Sequence, residues 1–229
     1  MTIMMYDLCG LNDRRFSPWC WTARMALAHK GVSYHTRATA FTAIAEIPGS
    51  QQKTLPTIQD GDKLIADSLA IACYLEEKYD GPSLFAGSGG IAGARFFQNW
   101  IGTIITPQMA RLLLVDIYNH VLPEDQAYFR TSREQRFGMS LEDAVADRKE
   151  RRAGLREALL AARLLLRKQT FLGGEQPLHL DYQLFGVLQW ARVISDFRVL
   201  DDDDPVLAWF RRCLDLHDGL GRTAPGYWQ

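Results

Sequence analysis

A glycine-rich break at 81–90, with Gly81, Pro82, Gly87, Gly89 and Gly90, most constrains the fold, because the hydrophobic patterning changes character across it. Ahead of the break, Ile3 to Leu8 is a short apolar run with the look of a buried strand, followed by a loop from Cys9 to Arg15. Ser17-Pro18 opens a helix: serine suits the N-cap and proline the first helical position. Trp21, Met25 and Ala28 then recur at helical spacing before Gly31 stops the element. Val32 to Thr39 reads as a second strand. Leu55-Pro56-Thr57-Ile58 and Lys63-Leu64-Ile65, separated by Asp60-Gly61-Asp62, read as a hairpin. Asp67 caps a further helix whose apolar positions Leu69, Ile71, Ala72 and Leu75 continue to Tyr79.

Beyond the break the pattern is helical throughout. Ile91 to Tyr118 is one long segment in which Pro107 predicts a kink near Thr103 to Thr106. Ser140 to Arg167 reads as one amphipathic helix with Leu141, Ala144, Val145, Leu155, Leu159, Ala162 and Leu166 on its stripe, opened by a capping-box-like Ser140 and Asp143. Asp181 to Ser195 is apolar nearly all round, as a central bundle helix would be. The run Asp201 to Asp204 reads as a solvated turn capping a last helix from Pro205. The chain therefore divides into an α/β domain at 1–80, a linker at 81–90 and an all-helical domain at 91–229.

Composition narrows the partner. Twenty-six basic and 27 acidic residues give a net charge of −1, so no broad cationic field attracts nucleic acid. No apolar stretch approaches the ~18 residues of a membrane span, and no secretory leader opens the sequence, which points to a cytoplasmic protein. The four cysteines, Cys9, Cys20, Cys73 and Cys213, lack metal or disulfide-framework spacing and read as reduced thiols. The five histidines are scattered and suggest no metal site.

Three features fall at one edge of the first domain: Ser17-Pro18-Trp19-Cys20, Leu55-Pro56 and Asp67-Ser68. A helix start offers unpaired N–H groups and a partial positive charge, which stabilises a thiolate or carboxylate by ~0.3–2 kcal/mol. A proline entering a strand, if cis, turns the preceding residue's N–H and C=O outward to an extended peptide, although the sequence does not give the isomer. Together these describe a receptor for a short peptide with a thiol at one end and a carboxylate at the other.

These motifs, their order and the helical second half resemble a cytosolic glutathione transferase over nearly the whole chain. The resemblance implies a thioredoxin-like first domain that binds glutathione and a helical second domain that shapes a pocket for the electrophile. It implies that Ser17, as in the serine-type classes, donates to the glutathione thiol. A free thiol of pKa ~8.5 is only ~3% thiolate at pH 7, and lowering it by ~2 units needs about 2.7 kcal/mol of anion stabilisation. The resemblance further implies that Ser68 and Asp67 hold the γ-glutamyl end, that Leu55 ahead of Pro56 pairs with the cysteinyl backbone, and that Lys53 or Gln52 meets the glycyl carboxylate, Thr54 standing where the family often has a basic residue. No metal is implied, and the family's usual state is a homodimer.

Phe16-Ser17-Pro18, Ala40-Phe41-Thr42, 128–134 and 185–192 are similar to the branch containing bacterial β-etherases and related fungal transferases. That resemblance implies an aromatic ether as substrate; Phe16 and Trp19, which flank Ser17, are the candidates for lining an aromatic substrate pocket. Trp100, Phe96, Phe97, Met109 and Trp190 fit either core or pocket. Tyr6 reads as a packed strand residue and Cys20 as a packed helix thiol; a reductase working through Cys20, or a non-catalytic binding protein, are the competing readings. Leu178 stands where the family commonly caps its central helix with serine or threonine, so that helix must be capped otherwise.

Overall fold

The computed structural model describes residues 2–49 and 54–228. Strand β1 (Ile3–Leu8), helix α1 (Pro18–His29), strands β2 (Tyr34–Thr39), β3 (Thr57–Asp60) and β4 (Lys63–Ala66), and helix α2 (Ser68–Lys78) form the first unit. The sheet order is β2-β1-β3-β4, with β1 parallel to β2 and antiparallel to β3. This is the α/β domain that the order of elements predicts, in the thioredoxin-like arrangement that the resemblance implies. Strand β1 is buried along nearly its whole length, only Met4 being partly exposed, as its central place in the sheet between β2 and β3 requires, and Trp21, Met25 and Ala26 of α1 are buried in the same core.

The second unit is helical: α3 (Ser88–Trp100), α4 (Thr106–Tyr118), α5 (Pro123–Phe137), α6 (Leu141–Val145), α7 (Arg148–Ala158), α8 (Leu160–Leu166), α9 (His179–Ile194) and α10 (Pro205–Gly219). Helix α3 starts at Ser88, inside the stretch read as linker, and Gly90 explains how: a Cβ there would lie 1.6 Å from the Phe85 carbonyl oxygen. The break expected before Pro107 is a single π-helical turn over Ile101–Ile105. Proline lacks the N–H that would continue the α-helical ladder, and the wider turn absorbs the mismatch.

The stripe over 140–167 is buried as read, except that Val145 is only half-buried, but its continuity is not: three short helices replace one. A straight helix of that span would run about 42 Å and leave the bundle behind. Asp147 (φ −103°, ψ 26°) and Leu159 (φ −81°, ψ 2°) depart from helical geometry, so that α6 and α7 lie on α4 while α8 turns onto α10. Ser140 accepts the Asp143 N–H at 3.0 Å, one half of a capping box. Asp201 to Asp204 is more than a solvated turn. Asp204 caps α10 through Val206 N–H at 2.9 Å and, 5% exposed, pairs with Arg163 at 2.8 Å, while Asp201 binds Arg152 and Arg156.

Helix α9 runs through the centre and packs along α1, joining the two units. Gly186 permits the contact: a Cβ there would sit 2.1 Å from the Pro18 carbonyl oxygen. Thr22 Oγ1 donates across the seam to the Tyr182 carbonyl at 3.1 Å, and Trp21 meets Phe185 edge-on. The missing cap at Leu178 is replaced by Asp181, whose buried carboxylate accepts from Leu178, Leu172 and Gly173 N–H and from Trp209 Nε1 at 2.6–3.0 Å. Burial raises the pKa of this carboxyl, and the four donors oppose the rise. Among the described residues no helix is long and apolar enough to cross a membrane.

Candidate active site

Two cavities open side by side where the sheet edge meets the helical unit, and Trp19, Thr54 and Leu55 line both. The first, of about 390 Å³, is polar and holds Pro56, Asp67 and Ser68 against Gln98, Asn99 and Thr103 of the facing helical segment. The second, of about 370 Å³, is aromatic and holds Ser17 and Phe16 together with Phe41, Tyr128, Phe129 and Trp190.

Ser17 sits at the start of α1, 6% exposed, and its Oγ accepts the Cys20 N–H at 3.3 Å. That hydrogen bond takes a lone pair and leaves the O–H to donate. Cys20 beneath it is fully buried, and burial pushes its thiol well above the ordinary range, with Asp7 adding to the rise. Cys20 thus sits as a packed helix thiol, with no surface open to a reacting disulfide. Burial likewise raises Cys9, to about 11, and Cys73 and Cys213. Tyr6 lies in neither cavity; it is buried in β1 with its hydroxyl 3.5 Å from Gln59 Oε1.

The Leu55–Pro56 bond is cis, the isomer that the sequence left open. Sheet pairing of β3 begins at Thr57, so the backbone of Leu55 lies ahead of the ladder, at the boundary of the two cavities. Asp67 (φ 78°) caps α2, its Oδ1 accepting from Leu69 and Ala70 N–H at 2.9 and 3.0 Å, while Gln98 donates to Oδ2 at 3.2 Å. Ser68 is 1% exposed and its hydroxyl has no partner among the described residues. An unsatisfied buried hydroxyl costs about 1–3 kcal/mol, and its place in the wall of the polar cavity marks a site for a ligand oxygen or nitrogen. Gln52 and Lys53 lie outside the described residues.

Patterning did not single out helix α5, although Pro123 at its first position, Glu124 and Asp125 in its first turn and left-handed Gly138 after its end are readable signals. It supplies Tyr128, Phe129, Arg133, Arg136 and Phe137 to the aromatic cavity. Its fully buried Asp125 clamps the opposite wall: the carboxylate accepts from Phe41 N–H at 2.8 Å, Thr42 N–H at 2.9 Å and Thr42 Oγ1 at 2.9 Å. Phe41 is thereby fixed between Phe16 and Phe129, at ring separations of 6.2 and 5.9 Å. Of the five aromatic and sulfur side chains that fitted either core or pocket, Trp190 alone lines the cavity; Met109 is core and Phe96 is 74% exposed. Among the described residues no group of three or more His, Cys, Asp and Glu side chains is arranged to hold a metal.

Comparison with known proteins bears on this architecture directly. Residues 11–83 match the model of the glutathione S-transferase N-terminal domain, and residues 92–215 match that of the glutathione S-transferase C-terminal domain. The chain belongs to the glutathione S-transferase family. A glutathione transferase from Phanerochaete chrysosporium is 27% identical, with a TM-score of 0.77 over 97% of this chain and 94% of that one. A glutathione S-transferase from Ceriporiopsis subvermispora, solved in complex with glutathione, is 24% identical, with a TM-score of 0.81 over 98% and 99% of the two chains. A Bombyx mori glutathione transferase at 17% identity and a TM-score of 0.67 shares the fold.

Proposed function

We propose that this transferase binds glutathione in the polar cavity and uses Ser17 to hold its thiol as a thiolate for attack on an aromatic electrophile in the adjoining cavity. The observation that carries the reading is the unpartnered, buried Ser68 hydroxyl at the start of α2, beside the Asp67 carboxylate. That pair suits the γ-glutamyl end of glutathione: Ser68 donates to its carboxylate and Asp67 accepts from its ammonium. Leu55 ahead of Pro56 pairs with the cysteinyl backbone. Lys53 or Gln52 remains the proposed partner of the glycyl carboxylate.

Ser17 then stands where a thiol extending across the shared boundary would meet a hydroxyl donor. A hydrogen bond to the charged sulfur is worth about 1.5–3 kcal/mol, which covers most of a two-unit fall in thiol pKa. The thiol proton leaves to solvent. The sulfur bonds to the electrophilic carbon as the bond to the leaving group breaks, the leaving group departing with the electron pair. For a β-aryl ether the leaving group is a phenolate, and the broken bond is C–O. Phe16 and Trp19 flank the reacting sulfur. The homodimer usual in the family, and the division into 1–80, 81–90 and 91–229, complete the reading.

Comparing Ser17→Ala with wild type for glutathione conjugation at pH 6.5 tests it. Turnover should fall by about 10–100-fold. Unchanged turnover of several electrophiles would remove Ser17 from the mechanism, and tight glutathione binding without turnover over a broad panel would favour a non-catalytic binding protein.

A further inference from the structure

The aromatic cavity contains two guanidinium groups, Arg133 and Arg136, and no carboxylate among its described lining residues. Arg133 is the inner of the two. It is drawn half out of solvent, with its guanidinium 4.8 Å from the Phe129 ring centroid and 5.5 Å from that of Phe41. Its Nη1 donates to Ser132 Oγ at 2.9 Å, and no ion pair engages it among the described residues. Burial lowers the pKa of this guanidinium, as does Arg136, while Tyr128 acts in the opposite sense.

Other withdrawn arginines in the chain are treated differently. Arg15 and Arg24 share Asp7, and Arg163 binds Asp204 through three hydrogen bonds. Arg192, buried without a carboxylate, is satisfied by the carbonyls of Trp228 and Ala224. Among the described residues Arg133 has neither a carboxylate nor a carbonyl, only the Ser132 and Tyr128 hydroxyls, although a guanidinium carries five donors in a planar fork. A second polar group lies in the wall of the same cavity: Thr106 Oγ1 is shielded from solvent and has no partner among the described residues.

We infer that the electrophile taken by this cavity is an aromatic molecule bearing a carboxylate, with its ring among Phe16, Phe41 and Phe129 and its carboxylate on the Arg133 fork. A neutral aromatic would cover the half-buried guanidinium and leave it only neutral hydroxyl partners; an anionic one adds charge-assisted hydrogen bonds to the donors still free. The inference rests on the reading of this cavity as the electrophile site, and it predicts an acid requirement that the glutathione chemistry alone does not.

The experiment is calorimetric titration of para-nitrobenzoate and of para-nitrobenzamide, which share ring and size but not charge, into wild type and Arg133→Gln. The acid should bind wild type at least about tenfold more tightly than the amide, and Arg133→Gln should bring the two within about twofold. Added salt should weaken only the acid. Equal affinities, absence of binding by either probe, or a preference that survives the substitution would overturn the inference. Arg133→Met, which keeps the apolar stem on Phe129, replaces Arg133→Gln if that variant does not fold; the wild-type comparison needs no variant at all. Glutathione is titrated into the same proteins. Equal glutathione affinity in wild type and variant is expected, and a parallel loss would assign Arg133 to glutathione's own carboxylate and overturn the inference. Wild type that prefers the acid yet binds no glutathione would sink the proposed function and leave this inference standing.

Discussion

The two cavities differ in how their walls are assembled. The polar one is built largely from short local motifs: a proline before a strand and a capping Asp67 followed by Ser68, each of which positions its own side chains through backbone geometry within three or four residues. The aromatic one draws on the end of β1, the start of α1, the 41–44 turn, α4, α5 and α9, and apart from Ser17-Pro18 at the start of α1 none of these contributes a motif that declares its destination. Recognition of a constant ligand can be carried by local rules. The shape of a variable pocket depends on long-range packing, which is why Asp125, far in sequence from Phe41, decides where that ring stands.

Removing that clamp tests the difference most severely. Asp125→Ala strands the Phe41 and Thr42 donors in a buried site and should cost about 2–4 kcal/mol in denaturant unfolding. Glutathione affinity should survive in the folded fraction while turnover of aromatic substrates falls. If glutathione affinity falls in step with turnover, the cavities are not separable. Within the polar cavity, Ser68→Ala should weaken glutathione binding by about tenfold, measured by titration, because a charge-assisted hydrogen bond is lost. A smaller effect separates charge from capping at the neighbouring position. Asp67→Asn keeps an oxygen for the Leu69 and Ala70 N–H groups and should preserve stability while weakening glutathione a few-fold, whereas Asp67→Ala should also lose about 1 kcal/mol of stability.

A further effect, confined to acid pH, lies outside both cavities. His179, fully buried against Phe85 with neither ring nitrogen partnered, is pushed down to about 3 by burial and by His29, and His217 to about 4 by the same causes. Unfolding restores the ordinary value of 6.5, so between pH 6.5 and about 4 the unfolded chain binds more protons and stability falls as pH falls. His179→Phe should flatten this slope by up to about 1.4 kcal/mol per pH unit and raise Tm more at pH 5 than at pH 7.5. Parallel pH profiles for the two proteins would contradict the assignment.

The sequence was most legible where one residue type has one structural use. Ser17-Pro18, the Asp60-Gly61-Asp62 turn and the Asp67 cap all stand where they were expected. It was less legible where periodicity outlasted the element. The stripe over 140–167 keeps its phase through two helix breaks, since the short helices wrap the bundle with the same face inward, and a stripe does not record the change of axis. Helix α5 has a weak apolar pattern because one of its faces borders the cavity, and its caps were the readable signal. Leu178 marked a missing cap correctly, but the replacement, Asp181 three residues on, was visible only once the loop at 172–173 was seen to donate to it.

In the proposed mechanism Ser17 lowers the thiol pKa of bound glutathione. Its most direct measurement is a pH titration of the ultraviolet thiolate absorbance of the glutathione complex, in wild type and in Ser17→Ala. The account predicts a midpoint ~2 units below that of a free thiol in wild type and a return to within about half a unit of the free value in the variant. Coincident midpoints in the two proteins would contradict it.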